Sequence, residues 1–248
     1  MATVALQLYT VRDDIARDWA GTLRKVAEIG YPAVQLGARD EPDAATLKPL
    51  LDELGLRVAG AHVGIERLEA DLEREMGAAE TLGHRDFLVP VIPEPLRGSL
   101  DGYRQLAHRL NRLGERCRAA GARLHYHNHA WELTQFDGAA ALDRLMEWTD
   151  PATVFLEPDV YWIERGGADP VTYLHRYAGR CPYVHLKDVA ADGSFGEVGE
   201  GTLDFAPILA ASEDGGAEWL VVEQDRSMRP ALESAAISLG HLRDWGKL

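Results

Sequence analysis

One pattern constrains this chain more than any single motif. An amphipathic helix stops at or near a glycine, a short apolar strand follows, and the pair recurs along the whole length. The first strand reads over Val4 to Tyr9. A helix over Asp18 to Ile29 stops at Gly30 before the strand Ala33 to Leu36. Asp43 caps a helix that runs to Gly55, ahead of a strand over Arg57 to Val63. Ile65 to Leu82 stops at Gly83 before Phe87 to Ile92, where Pro90 predicts a bulge or an early strand end. A long helix over Leu100 to Ala120 precedes the fifth strand, Arg123 to His127. Later strands read over Thr153 to Leu156, Tyr183 to Lys187 and Trp219 to Glu223, and a helix over Leu232 to Trp245 closes the chain. The strands are apolar on both faces, as in a parallel sheet covered on both sides. Eight such units in 248 residues predict an α/β fold, a single (β/α)₈ barrel over residues 1–248. No Gly-x-Gly-x-x-Gly follows the first strand, which argues against a doubly wound sheet.

Charge narrows the function. The formal net charge is −14, which opposes a phosphate backbone and argues against nucleic-acid partners. No run of 18 apolar residues is present, so no membrane partner is expected. The chain enters a strand without a secretory leader, and Cys117 and Cys181 lack metal-type spacing; both point to the cytoplasm.

Barrel enzymes work at the C-terminal ends of their strands. Those ends carry Gln7, Gln35, His62, His127, Asn128, His129, Asp159, His185, Lys187 and Glu223. Buried Asp159 and Glu223 need a cation or a dense hydrogen-bond shell, and one divalent ion serves both. Asp159, His185 and Glu223 form a mixed oxygen and imidazole set, with Glu132, just past the fifth strand, as the fourth protein ligand. The competing reading makes Glu132 a helix cap and His127 the fifth-strand ligand. Such a set suits Mn²⁺ first, with Mg²⁺, Zn²⁺, Fe²⁺ or Co²⁺ as alternatives. An ion that grips a carbonyl and its neighbouring hydroxyl acidifies the C–H between them, and an imidazole is the natural base at neutral pH. His127 is the first choice of base, with His62 and His129 as alternatives. Lys187 can polarise a substrate oxygen, and Glu223 serves both ion and chemistry. Gln7, His62, His129, Trp162 and Glu200 are the expected substrate contacts.

Several segments together resemble the xylose-isomerase-like barrels often called sugar phosphate isomerases/epimerases. These are Leu6 to Asp13, Tyr126-His-Asn-His-Ala-Trp-Glu132, Leu156 to Trp162, Val184-His-Leu-Lys-Asp188, Glu197 to Gly201 and Val222 to Asp225. The resemblance spans essentially the whole chain. It implies a divalent metal on Glu132, Asp159, His185 and Glu223, and a small sugar or polyol substrate. Where many relatives carry a strand-five glutamate this chain has His127, and its Tyr-His-Asn-His form is similar to inosose dehydratases and lyases acting on 3-keto-glycosides. The leading expectation is a metal-dependent isomerase or epimerase working through an enediolate. The alternative is a lyase or dehydratase on a keto-inositol or 3-keto-glycoside, which shares the first step. A DNA-repair enzyme like endonuclease IV would need a larger metal cluster and a basic face, and an inactive binding protein would lack a complete ligand set. With no phosphate-binding glycine motif, an unphosphorylated substrate is favoured; exposed loop aromatics leave a homodimer open.

Overall fold

Eight parallel strands wrap into a nearly closed barrel with helices between them. A computed structural model describes residues 1–37 and 41–248. The strands are β1 (Thr3–Gln7), β2 (Ala33–Leu36), β3 (Arg57–His62), β4 (Asp86–Val89), β5 (Arg123–His127), β6 (Val154–Glu157), β7 (Tyr183–Leu186) and β8 (Trp219–Val222). They pair in the order β6-β5-β4-β3-β2-β1-β8-β7, so the seam lies between β6 and β7. The predicted helices form, and a further short one, Val160–Arg165, follows the sixth strand. The first strand ends at Gln7, because the Gln7 side chain accepts from Tyr9 N and starts a 3₁₀ turn. Asp71 accepts from Arg74 N, which divides the Ile65–Leu82 helix into Ile65–Ala70 and Leu72–Leu82. The fourth strand ends before Pro90, as its missing N–H requires.

Alternation along each strand builds the barrel interior in layers. Ala5, Ala33, Ala59, Leu88, Tyr183 and Val221 pack as one apolar cluster. The small alanines leave room for rings: His125 lies 4.9 Å from Tyr183 and 5.4 Å from Phe155. Two residues further along the strands stand Gln7, Gln35, His127, Glu157, His185 and Glu223, all buried. His62 joins them out of phase, three residues after Ala59. The β2–β3 register shifts beside Gly60, whose φ of +134° a side chain would strain. That extra residue turns His62 inward.

The seam is closed by few bonds. Leu156 N donates to Arg180 O, His185 N donates to Pro158 O, and Asp159 bridges His185. The Arg180 guanidinium reinforces it, donating to the carbonyls of Val154 (2.9 Å), Met146 (2.8 Å) and Thr149 (3.1 Å) and to Thr149 Oγ1 (2.8 Å). Asp86 anchors the opposite end of the barrel, accepting from Arg123 Nε at 2.6 Å and lying 2.7 Å from His125 Nε2. Burial alone would raise the Asp86 carboxyl; His125 and Arg123 outweigh it and hold it at about 2.

Two outcomes follow for stability. Arg180→Ala strips several buried carbonyls of a charged donor and is expected to cost roughly 3 kcal/mol in urea unfolding. A folded Asp86 pKa below its unfolded value stabilises the protein above about pH 4, and this is lost as pH falls toward 2. Asp86→Asn is therefore expected to lose roughly 2 kcal/mol at neutral pH and to unfold with a flatter acid dependence than the parent.

Candidate metal centre

The strand ends predicted to carry chemistry do converge. One donor atom each from His127, Asp159, His185 and Glu223 lie within 4.8 Å of one another, and all four residues are buried. A second group meeting the same distance combines His62, His127, Glu157 and His185. The two groups share both imidazoles, each of which turns a different nitrogen to each side. His185 Nδ1 lies 3.1 Å from Glu223 Oε2 and 3.9 Å from Asp159 Oδ2, while its Nε2 lies 3.1 Å from Glu157 Oε1. His127 Nε2 lies 3.8 Å from Asp159 Oδ2 and its Nδ1 3.1 Å from Glu157 Oε2.

Local structure places each side chain. Asp159 caps the helix Val160–Arg165 with Oδ1 on Trp162 N at 3.0 Å, and Asn128 Oδ1 accepts from its backbone N–H. This leaves Oδ2 buried without a hydrogen bond. Lys187 is 1 % exposed, and its Nζ lies 2.6 Å from Glu223 Oε2, 2.7 Å from Asp225 Oδ2 and 3.1 Å from Asp159 Oδ2. The Asp225 contact is a hydrogen bond, and the Glu223 and Asp159 contacts are ion pairs. The ammonium is thus surrounded by carboxylates, so Lys187 organises the acidic groups first and a substrate oxygen second.

The titration pattern has the same cause. Burial pushes Asp159 up to about 6, with Lys187 and His185 opposing it. Burial likewise pushes His127 down to about 3, helped by His185. Burial works against charge on His185, yet Glu157 and Glu223 on its two sides outweigh it and raise the imidazole to about 10. Burial would also raise Glu157 and Glu223, but the surrounding His and Lys groups hold both well below the usual carboxylate range. Orphaned Asp159 Oδ2 and the converging nitrogens and oxygens suit a divalent cation, so the donor set fits one.

The structure corrects one expected ligand. Glu132 stands outside both groups. It forms a capping box with His129, accepting from His129 N at 2.7 Å, from Tyr126 Oη at 2.5 Å and from Trp131 Nε1 at 2.7 Å. Three donors already turn its carboxylate toward the cap, and burial lifts its pKa to about 7. The carboxylate that does meet the imidazoles is Glu157, which sequence reasoning missed. The signal was present in the strand period: Glu157 lies two residues before Asp159, on the same face of a strand that the apolar run alone ended at Leu156.

A cavity of about 410 Å³ opens over the cluster, lined by Tyr9, His62, His127, His129, Lys187 and Glu223 among others. That volume lies in the range of small-molecule sites. His62 Nε2 sits 2.7 Å from Glu157 Oε2. His129 stacks on Trp131 at 4.4 Å, and the Arg97 guanidinium lies over the Trp131 ring at 4.3 Å. Three expected substrate contacts fall elsewhere. Gln7 is fully buried and donates to Gln35 Oε1 at 2.6 Å. Trp162 backs His129 and Lys187, 5.4 and 5.8 Å away, instead of lining the cavity. Glu200 is held on the rim by Arg229 at 3.0 Å, beside a different hollow.

A family model described as xylose isomerase-like TIM barrel matches residues 23–245. Curated relatives include an inosose dehydratase of Geobacillus kaustophilus, 32% identical over 82% of this chain and 79% of its own length. An inosose dehydratase of Lacticaseibacillus casei is 31% identical over 79% of this chain and 78% of its own. Among solved structures, a sugar phosphate isomerase/epimerase from Parabacteroides distasonis superposes with a TM-score of 0.85 at 22% identity, covering 98% of this chain and 93% of that one. The curated names overturn the isomerase or epimerase expectation in favour of its lyase alternative. The physical reason is that one ligand set serves the proton abstraction common to all these reactions, so ligands alone could not choose among them.

Proton and metal ion compete for the same imidazole lone pair, and a His185 pKa near 10 means that a proton must leave when an ion binds at neutral pH. Calorimetry with Mn²⁺ in buffers of different ionisation enthalpy is expected to report release of about one proton per ion, with affinity falling as pH falls. His185→Ala and Asp159→Asn are expected to lower bound metal, measured by elemental mass spectrometry after dialysis.

Proposed function

Because the chain belongs to the xylose isomerase-like TIM barrel family, with dehydratases among its curated relatives, we propose that it is a divalent-metal-dependent lyase removing water from a cyclic keto-polyol of the inosose class. The observation that carries this reading is the donor set of His127, Asp159, His185 and Glu223 at the floor of a cavity lined by imidazoles. We assign the ion to that set and take Mn²⁺ as first choice. When bound, it supplies the Lewis acidity that makes a proton beside a ketone removable.

The chain's own residues divide the remaining work. Both His127 nitrogens face carboxylates, so we move it from base to ligand. Burial and the neighbouring His127 push His129 down to about 2, which makes it a weak base. His62 is the base we assign: it lines the cavity, and Glu157 holds its Nε2 at 2.7 Å, leaving Nδ1 to accept the proton. Lys187 is raised well above its usual value: burial opposes its charge, and Asp159, Glu223 and Asp225 outweigh burial, so it stays an ammonium and a poor proton donor. The imidazolium formed at His62 then returns its proton to the departing hydroxyl. One C–H bond and one C–O bond break, a C=C bond forms, and water leaves from the same ring face that lost the proton. The small, polar cavity and the absence of a phosphate-binding glycine motif favour an unphosphorylated ring. Buried free thiols at Cys117 and Cys181 support a reducing cytoplasm as its location.

The test uses Mn²⁺-loaded protein and an inosose, followed by NMR in D₂O. Appearance of the dehydrated ketone is expected, and a chelator should abolish it. His62→Ala is expected to lower kcat by about 10²- to 10⁴-fold with metal content unchanged. No product and no deuterium uptake from any inosose would reject the reaction; an undiminished His62→Ala would reject the assigned base.

A further inference from the structure

Four donor atoms face the buried Glu157 carboxylate, and their arrangement constrains proton positions. Its Oε1 accepts from Gln35 Nε2 at 2.6 Å and lies 3.1 Å from His185 Nε2. Its Oε2 lies 2.7 Å from His62 Nε2, a hydrogen bond, and 3.1 Å from His127 Nδ1, an ion-pair distance without hydrogen-bond alignment. An ionised carboxylate offers about four lone-pair sites and no proton, so each nitrogen facing it must supply the hydrogen. The orientation of the relay is set from the backbone. Tyr9 N can only donate, and it donates to Gln7 Oε1 at 3.1 Å. Gln7 therefore turns its Nε2 to Gln35 Oε1, 2.6 Å away, and Gln35 turns its own Nε2 to Glu157. Gln35 Oε1 also lies 2.8 Å from His185 Nε2 and can only accept. Gln35 Oε1 and Glu157 thus keep a hydrogen on His185 Nε2, so the proton that an incoming ion displaces is the one on Nδ1, 3.1 Å from Glu223 Oε2.

We propose that Glu157 is a positioning residue that imposes opposite tautomers on two metal-ligating imidazoles, Nδ1–H in His127 and Nε2–H in His185. The lone pairs that remain, His127 Nε2 and His185 Nδ1, are the ones turned toward Asp159 Oδ2. The same geometry selects between the two overlapping donor groups. An ion beside Glu157 would meet three N–H hydrogens and the Gln35 amide, whereas an ion beside Asp159 and Glu223 has only to displace the proton that His185 Nδ1 shares with Glu223 Oε2, 3.1 Å away. Carboxylates behind metal-binding histidines orient the ring and raise its basicity, and losing one weakens metal binding by about 10- to 100-fold. Here one buried carboxylate performs that service for two ligands at once, with His62 held by the same oxygen that faces His127.

This inference rests on the metal-centre reading, and the experiment separates the two. Protein labelled with ¹⁵N-histidine is titrated with Zn²⁺, and long-range ¹H–¹⁵N correlations identify the metallated nitrogen in each ring. One ring bound through Nε2 (His127) and the other through Nδ1 (His185) is expected. Zn²⁺ affinity, read by competition with a chelating dye, is expected to fall about 10- to 100-fold in Glu157→Gln, which keeps the shape and loses the charge. If the parent protein binds one ion through the same nitrogen type in both rings, or if Glu157→Gln binds within twofold of the parent, the metal centre stands and this proposal falls. If the parent binds no ion, both fall. Should Glu157→Gln fail to fold, the parent spectrum decides alone.

Discussion

Burying carboxylates at the mouth of a barrel is tolerable only if each one is matched, and the top layer of this protein is built around that matching. Glu157, Asp159 and Glu223 are at most 4 % exposed, and Asp225 sits half-buried beside them. Unmatched, charges of this kind cost several kcal/mol each. Lys187 answers three of the four carboxylates, and Gln35, His62, His127 and His185 answer the fourth. Asp159 Oδ2 is the one acceptor left short. The layer beneath is mostly apolar, with His125 paired to Asp86. Stability and chemistry are thus separated along the barrel axis: Asp86, Arg123 and His125 hold one end, and the cation-seeking groups occupy the other.

The seam ties these themes together. Among the described residues, β6 and β7 share a single bridge in place of a ladder, and the bridged residues, Asp159 and His185, are both assigned ligands. A barrel can leave a ladder incomplete where side chains close it instead. Arg180 does so from outside, through carbonyls of the β6 side, and an ion gripping Asp159 and His185 would do so from inside.

Much of this was legible in the sequence. Alternating helix and strand signals placed all eight strands, because glycine stops and apolar runs report local physics that tertiary packing did not override. Asp159, His185, Lys187 and Glu223 were also legible, since polar residues at the end of an apolar strand are costly without a purpose. What escaped depended on geometry that spacing does not encode. Spacing left Glu132 open between ligand and cap, and the 3₁₀ turn at Ala130–Leu133 decides for the cap; Glu157 was missed outright. The inward turn of His62 depends on the irregular register beside Gly60, which no periodicity announces. The Tyr126-His-Asn-His129 form leaned toward dehydratases, but ligand geometry does not choose between dehydration and isomerisation, since the reactions diverge only after the proton has been taken.

The central claim is that a single cation sits between His127 Nε2 and His185 Nδ1 and the carboxylates of Asp159 and Glu223. Anomalous diffraction from crystals soaked in Mn²⁺ tests it directly. The account predicts one peak about 2 Å from His127 Nε2, His185 Nδ1 and an oxygen each of Asp159 and Glu223. A peak among His62, Glu157 and the opposite nitrogens, or no peak at any of these side chains, would contradict it.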